Sequence, residues 1–95
     1  MGYITFMHGN VDKEPTKEQW ERFFEIARES GLFRGGSAMG KRSTVGEKGV
    51  PDVTATIGGY MRFDAEKLDE LTRLLRQHPT VLCSGTIEIC ELTKT

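Results

Sequence analysis

The sequence predicts one α+β domain in the order β-α-β-β-α-β, and three observations carry that expectation. Two stretches repeat apolar residues at helical spacing, four segments have strand character, and glycine or proline marks most of the junctions between them. The 95 residues fit one cooperative core and leave no room for a second.

Residues 3–7 are apolar and aromatic around Thr5 and stop at His8-Gly9-Asn10, which makes a first strand running into a turn. Thr16 stands three before Gln19, the spacing of a capping box, and Trp20, Phe23, Phe24 and Ala27 follow at i, i+3, i+4 and i+7. The first helix thus presents an aromatic stripe, expected to be core. It ends at Ser30-Gly31, because glycine takes the left-handed C′ conformation without a side-chain penalty. Residues 34–45 are glycine-rich and irregular, which predicts a bulged or broken second strand. Gly46-Glu47-Lys48-Gly49-Val50-Pro51-Asp52 is dense in turn formers and predicts a long hairpin loop.

Residues 53–63 have high β-propensity and predict a third strand, with a bulge or close backbone approach at Gly58-Gly59. Asp64 is placed to cap a second helix whose buried stripe is Ala65, Leu68, Leu71 and Leu75, ending before Pro79. After a turn region over 80–85, residues 86–92 predict a fourth strand in which Ile87 and Ile89 alternate with Glu88 and Cys90. The tail at 93–95 is expected to be disordered.

This order is that of the split βαβ, or ferredoxin-like, sandwich, with both helices on one face of an antiparallel sheet. The other face would carry apolar area in strands three and four, and such a patch on a small domain marks an interface. A homodimer is the simplest cover.

Thirteen basic and fourteen acidic residues leave a formal net charge of −1, without the basic excess that phosphate backbones need, so nucleic acid is not an expected partner. The first residues lack the basic n-region of a signal peptide, and no apolar run approaches the roughly 20 residues of a bilayer span. A cytoplasmic protein that does not enter membranes is expected. Cys83 and Cys90 match neither a CxxC pair nor zinc spacing, and no His, Cys, Asp and Glu set has metal-ligand spacing, so no metal and no cofactor are expected.

Trp20 with Phe24, Ser30-Gly31, Gly35-Gly36, Ser43-Thr44-Val45, Gly58-Gly59-Tyr60, the stretch 64–75, His78-Pro79 and Gly85-Thr86-Ile87-Glu88-Ile89 followed by Glu91 together resemble the YCII-related family over nearly the whole chain. The resemblance implies a dimeric α+β barrel in which two sheets pack face to face around a cleft. One subgroup carries an Asp-Gly-Pro-Phe tetrapeptide before its Gly-Gly-Tyr segment. Here Pro51-Asp52-Val53-Thr54 stands there with a shorter spacer, so Asp52 does not inherit that aspartate's role. The better-known bacterial members carry a His and Asp pair proposed as catalytic, and that pair has no assignment on this chain.

Glu88 alternates with Ile87 and Ile89, so it should point to the face opposite the helices, where it can act as a general acid or base, hold a ligand's donor, or pair with Arg62 or another base. Tyr60 and Arg62 share one strand face and look into the same cleft if Met61 and Phe63 face the helices; Tyr60 either donates to a carbonyl or fills the interface. His8, at the end of strand one, has a pKa range suited to proton transfer or can cap the turn. His78, before Pro79, reads as a helix-end residue interacting with the last carbonyls. Gly35 to Lys41 approaches a P-loop, but Arg42 stands where Ser or Thr would hold magnesium and no helix opens there. Arg34, Lys41 and Arg42 remain as an edge that attracts an anionic ligand or is simply solvated. Two functions follow: cofactor-free acid–base chemistry on a small metabolite, with His8 and Glu88 as proton carriers, or a non-catalytic module that binds a metabolite or another protein.

Overall fold

The computed structural model describes residues 1–49 and 52–93. Its elements are β1 (Gly2–His8), α1 (Lys17–Ser30), β2 (Phe33–Ala38), a 3-10 helix (Asp52–Thr56), β3 (Ile57–Asp64), α2 (Leu68–Leu75), α3 (Pro79–Leu82) and β4 (Ile87–Leu92). The strands form one antiparallel sheet in the order β2-β3-β1-β4, so the expected ferredoxin-like α+β sandwich is the fold of this chain. The expectations for Val50-Pro51 and for Lys94-Thr95 fall outside the described residues.

α1 begins as its sequence dictates. Thr16 Oγ1 accepts from the Gln19 N–H at 3.1 Å and Gln19 Oε1 accepts from the Thr16 N–H at 2.7 Å, closing the capping box. At the other end Gly31 takes φ 76°, and its N–H donates to the Arg28 carbonyl. The expected aromatic stripe divides into two rows. Phe23 and Ala27 are fully buried, whereas Trp20 and Phe24 are half-buried and pack against the core from one side. The uniform core role expected for all three aromatics is corrected accordingly.

Both sheet irregularities foreseen at glycines are present. Phe33 pairs with Phe63 and Gly35 with Arg62, so Arg34 is an extra residue in β2, and Gly35 accommodates the bulge at φ 113°. The strand is shorter than expected, ending at Ala38. Met7 pairs with Gly59 and His8 with Ile57, so Gly58 is the extra residue in β3. A Cβ on Gly59 would lie 2.5 Å from Met7 Cε and 3.0 Å from the Ser37 carbonyl oxygen, a close approach at which a side chain would have to displace the methionine tip.

Three local expectations are corrected. Residues 52–56 form a 3-10 helix rather than the start of β3, despite their β-branched composition; Arg42 donates to the carbonyls of Gly40, Thr54 and Ile57 and ties this turn to the chain before it. Asp64 does not cap α2, because its carboxylate accepts from the Met1 nitrogen at 3.1 Å and the helix starts at Leu68 with Lys67 as N-cap. That later start rotates the buried stripe: Leu68 is exposed, and Leu74 joins Leu71 and Leu75 inside, with Ala65 buried ahead of the helix. The turn after it contains α3, with Pro79 at its first position, and β4 opens one residue later than expected, at Ile87.

His78 does not cap the helix before it but the one after it. Its Nδ1 accepts from the Thr80 N–H at 3.0 Å, and the ring lies fully buried against Phe23 and Trp20, with centroids 4.6 and 5.0 Å away. With Nδ1 accepting, the proton of the neutral ring sits on Nε2, which has no hydrogen-bond partner among the described residues.

Phe23→Ala is expected to cost about 3–5 kcal/mol by urea denaturation, because it empties a fully enclosed site, and Phe24→Ala distinctly less, because its ring already borders solvent. Equal costs would show that the two rows are not distinct. His78 supplies a second expectation: burial pushes its pKa from 6.5 down to about 4. Between those values the unfolded chain binds a proton that the fold refuses. The contribution is therefore complete above pH 6.5, falls as pH drops toward 4, and totals roughly 3 kcal/mol. His78→Asn, whose amide oxygen replaces the capping acceptor, should show a shallower loss of stability over that range than the parent; identical slopes would refute the assignment.

Candidate functional site

The sheet has two unlike faces. Tyr3, Thr5, Met61 and Phe63 are buried under the helices, and the Thr5 hydroxyl is satisfied there by donating to the Met61 carbonyl at 3.0 Å. By alternation the opposite face carries Ile4, Phe6 and His8 from β1, Tyr60 and Arg62 from β3, and Glu88, Cys90 and Leu92 from β4. Pairing aligns them in rows: Phe6 lies between Tyr60 and Glu88, and Ile4 between Arg62 and Cys90. The sequence-derived facing of Glu88, Tyr60 and Arg62 is therefore the observed one.

His8 and Glu88 meet. His8 Nε2 lies 3.0 Å from Glu88 Oε1, with the imidazole about one-quarter exposed and the carboxylate about half exposed. A backbone and side-chain clamp holds this end of the sheet: the His8 N–H donates to the Thr86 carbonyl, the Thr86 N–H donates to Asn10 Oδ1, and Asn10 Nδ2 donates to the Thr86 hydroxyl. Cys90 Sγ donates to Glu88 Oε2 at 3.8 Å, so both carboxylate oxygens are engaged. Only a protonated Nε2 can donate to a carboxylate, and the neutral His8 ring then presents Nδ1 as its basic nitrogen.

The arginines are occupied elsewhere. Arg62 does not pair with Glu88; it donates to the Arg34 carbonyl at 3.3 Å and braces the β2 bulge. Arg34 donates to the carbonyls of Gly31 and Phe33, at the far end of β2 from His8. Arg42 borders a hollow of about 620 Å³ together with His8, Asn10 and Met39, but its guanidinium is committed to the three carbonyls named above. Among the described residues no group of three His, Cys, Asp or Glu side chains is placed to share a metal ion, and no helix is long and apolar enough to cross a membrane.

A second hollow, of about 490 Å³, opens between α1 and the sheet edge. Trp20, Phe24 and Phe33 line it with Met7 and Met61, and the small residues Gly36 and Ala38 leave the edge of the sheet beneath it uncovered. Gly36 has no alternative: a Cβ there would fall 2.3 Å from the Tyr60 carbonyl oxygen. His8 and Tyr60 also border this hollow, but their side chains are directed to the opposite face of the sheet. Sequence reasoning assigned Trp20 and Phe24 to the core and missed the cleft. The signal was present in the run Gly35-Gly36-Ser37-Ala38, which offers nothing large to fill the space under an aromatic helix face.

No protein-family model matches the chain, and no curated protein matches it. Among solved structures it is similar to the 5-chloro-2-hydroxyhydroquinone dehydrochlorinase of Burkholderia phenoliruptrix AC1100 in complex with 2,5-dihydroxybenzoquinone, with a TM-score of 0.58, 10% identity, and coverage of 100% of this chain and 96% of that one. At that identity the likeness establishes a shared fold.

Proposed function

We propose that this chain is a YCII-like protein that binds a small molecule beside the His8–Glu88 pair, on the sheet face opposite the helices, and exchanges a proton with it through His8, using no cofactor. The observation that carries this reading is the placement of His8: it borders the hollow shared with Asn10, Met39 and Arg42 while its Nε2 is tied at 3.0 Å to the Glu88 carboxylate. A carboxylate behind an imidazole fixes the tautomer and stabilises the imidazolium that forms when the other nitrogen takes a proton. Tyr60, on the same sheet face as His8 and Glu88, can orient a carbonyl or hydroxyl of the ligand, whereas the cleft beside α1 lies on the other face and has its own lining. The structural neighbour acts on a chlorinated hydroxyhydroquinone, which supports small-ring chemistry as a use of this fold without fixing the substrate here.

The test uses 5-nitrobenzisoxazole, a flat neutral ring that opens when a base removes its carbon-bound proton and the N–O bond breaks to release a phenolate. The protein should accelerate this elimination saturably. His8→Asn should reduce the rate by about a hundredfold and Glu88→Gln by about tenfold. Wild-type and His8→Asn rates that both equal free imidazole at the same concentration would sink the acid–base reading. The mostly apolar lining favours a second reading, a non-catalytic ligand-binding module, and saturable binding without turnover is its signature.

The same reading includes a homodimer. Ile4, Phe6, Tyr60 and Cys90 are half-buried on a sheet face with no helix over it, and Leu92 is 44% exposed there. A second copy covering this face would also enclose the His8–Glu88 pair. Sedimentation at micromolar concentration should give a dimer that Phe6→Glu dissociates; a compact monomer of the parent chain would overturn it.

A further inference from the structure

We propose that the ligand of the cleft beside α1 is an organic cation, a small amine on an aromatic or similarly apolar body, with its ammonium group toward Glu14. The inference goes beyond the His8–Glu88 site: it takes the cleft as a separate ligand site and adds the charge of what enters it. Among the described residues, Glu14 is the only aspartate, glutamate, lysine or arginine along the cleft. An anion entering it would meet no lysine or arginine of the described lining, and it would face Glu14. A cation meets the opposite environment.

The rings reinforce the choice. Trp20 and Phe24 stack with centroids 5.8 Å apart and planes 28° from parallel, and Phe33 continues the row 6.1 Å from Phe24. Aromatic faces carry negative quadrupolar potential and hold ammonium and guanidinium groups near their centroids. This row already does so once: the Arg28 guanidinium carbon lies 5.6 Å from the Phe24 centroid, and Arg28 is not part of the cleft lining. Thr80, also in the lining, adds a hydroxyl oxygen able to accept from an ammonium group. Glu14 itself is exposed, so water and salt screen its contribution and the preference should be moderate.

The experiment compares three near-isosteric probes, phenethylamine, 2-phenylethanol and phenylacetate, by the fluorescence of Trp20, which is the single tryptophan of the chain and lines the cleft. Phenethylamine should bind about tenfold more tightly than phenylacetate, with 2-phenylethanol between them, and added salt should narrow the spread. In Glu14→Gln the amine should fall to within about twofold of the alcohol. Phenylacetate binding as tightly as the amine, or an order that survives Glu14→Gln unchanged, overturns the charge assignment while leaving the cleft as a binding site. Failure of all three probes to saturate overturns both. A variant with Ala38→Phe, which fills the cleft, should abolish every response; retained binding there would place the probes elsewhere and overturn the proposal.

Discussion

The burial of Phe23 sets the arrangement of the helical layer. Its ring is completely enclosed and touches the equally buried imidazole of His78, which in turn caps α3, so one aromatic contact ties α1 to the turn that leads into β4. Residues four apart share a helix face. With Phe23 and Ala27 directed inward, Trp20 and Phe24 form a parallel row rotated toward β2. Past Phe33, β2 offers that row only the small residues Gly36 and Ala38. The cleft is the space left by this mismatch. It follows from helix geometry and from the one position, Gly36, where a neighbouring backbone forbids any larger residue.

Much of the fold was legible because it is written locally. The capping box at Thr16 and Gln19, the glycine stop at Gly31 and the alternation in β4 each depend on residues within one or two turns of one another. The departures are long-range. Residues 52–56 have strand composition, yet their carbonyls are drawn to Arg42, which lies 12 positions before Thr54 in the chain. Asp64 has the chemistry of an N-cap but is claimed by the Met1 nitrogen, 63 positions away. The second helix therefore starts later, and its inward stripe turns from Leu68 to Leu74. Propensity could not foresee either competition, since both partners lie outside any window in which it is evaluated.

The same division runs through the site. Alternation gave the facing of Glu88, Tyr60 and Arg62, because a strand's two faces follow from counting. It could not give Glu88 its partner, since His8 lies 80 positions away and reaches it only through the pairing of β1 with β4. Arg62, the nearer candidate by composition, is held by a backbone carbonyl created by the β2 bulge. Trp20, Phe23, Phe24 and Ala27 at helical spacing were read as one stripe, although four residues at i, i+3, i+4 and i+7 are two rows, and only the identity of what lies beneath each row separates core from cleft.

The extra residue at Gly58 acts on β3 as a phase change. From Gly59 to Phe63 the odd-numbered positions belong to the helix-covered side, but His8 faces the other side and its partner across the bulge is Ile57, also odd-numbered. One chain thus carries two frames of alternation, joined at a glycine. Without the bulge, regular alternation would set Gly58 opposite His8 and turn Ile57 toward the helices, and it would do so without altering any side chain. The surroundings of His8 are in this sense encoded by a count of backbone units as much as by the residues that touch it.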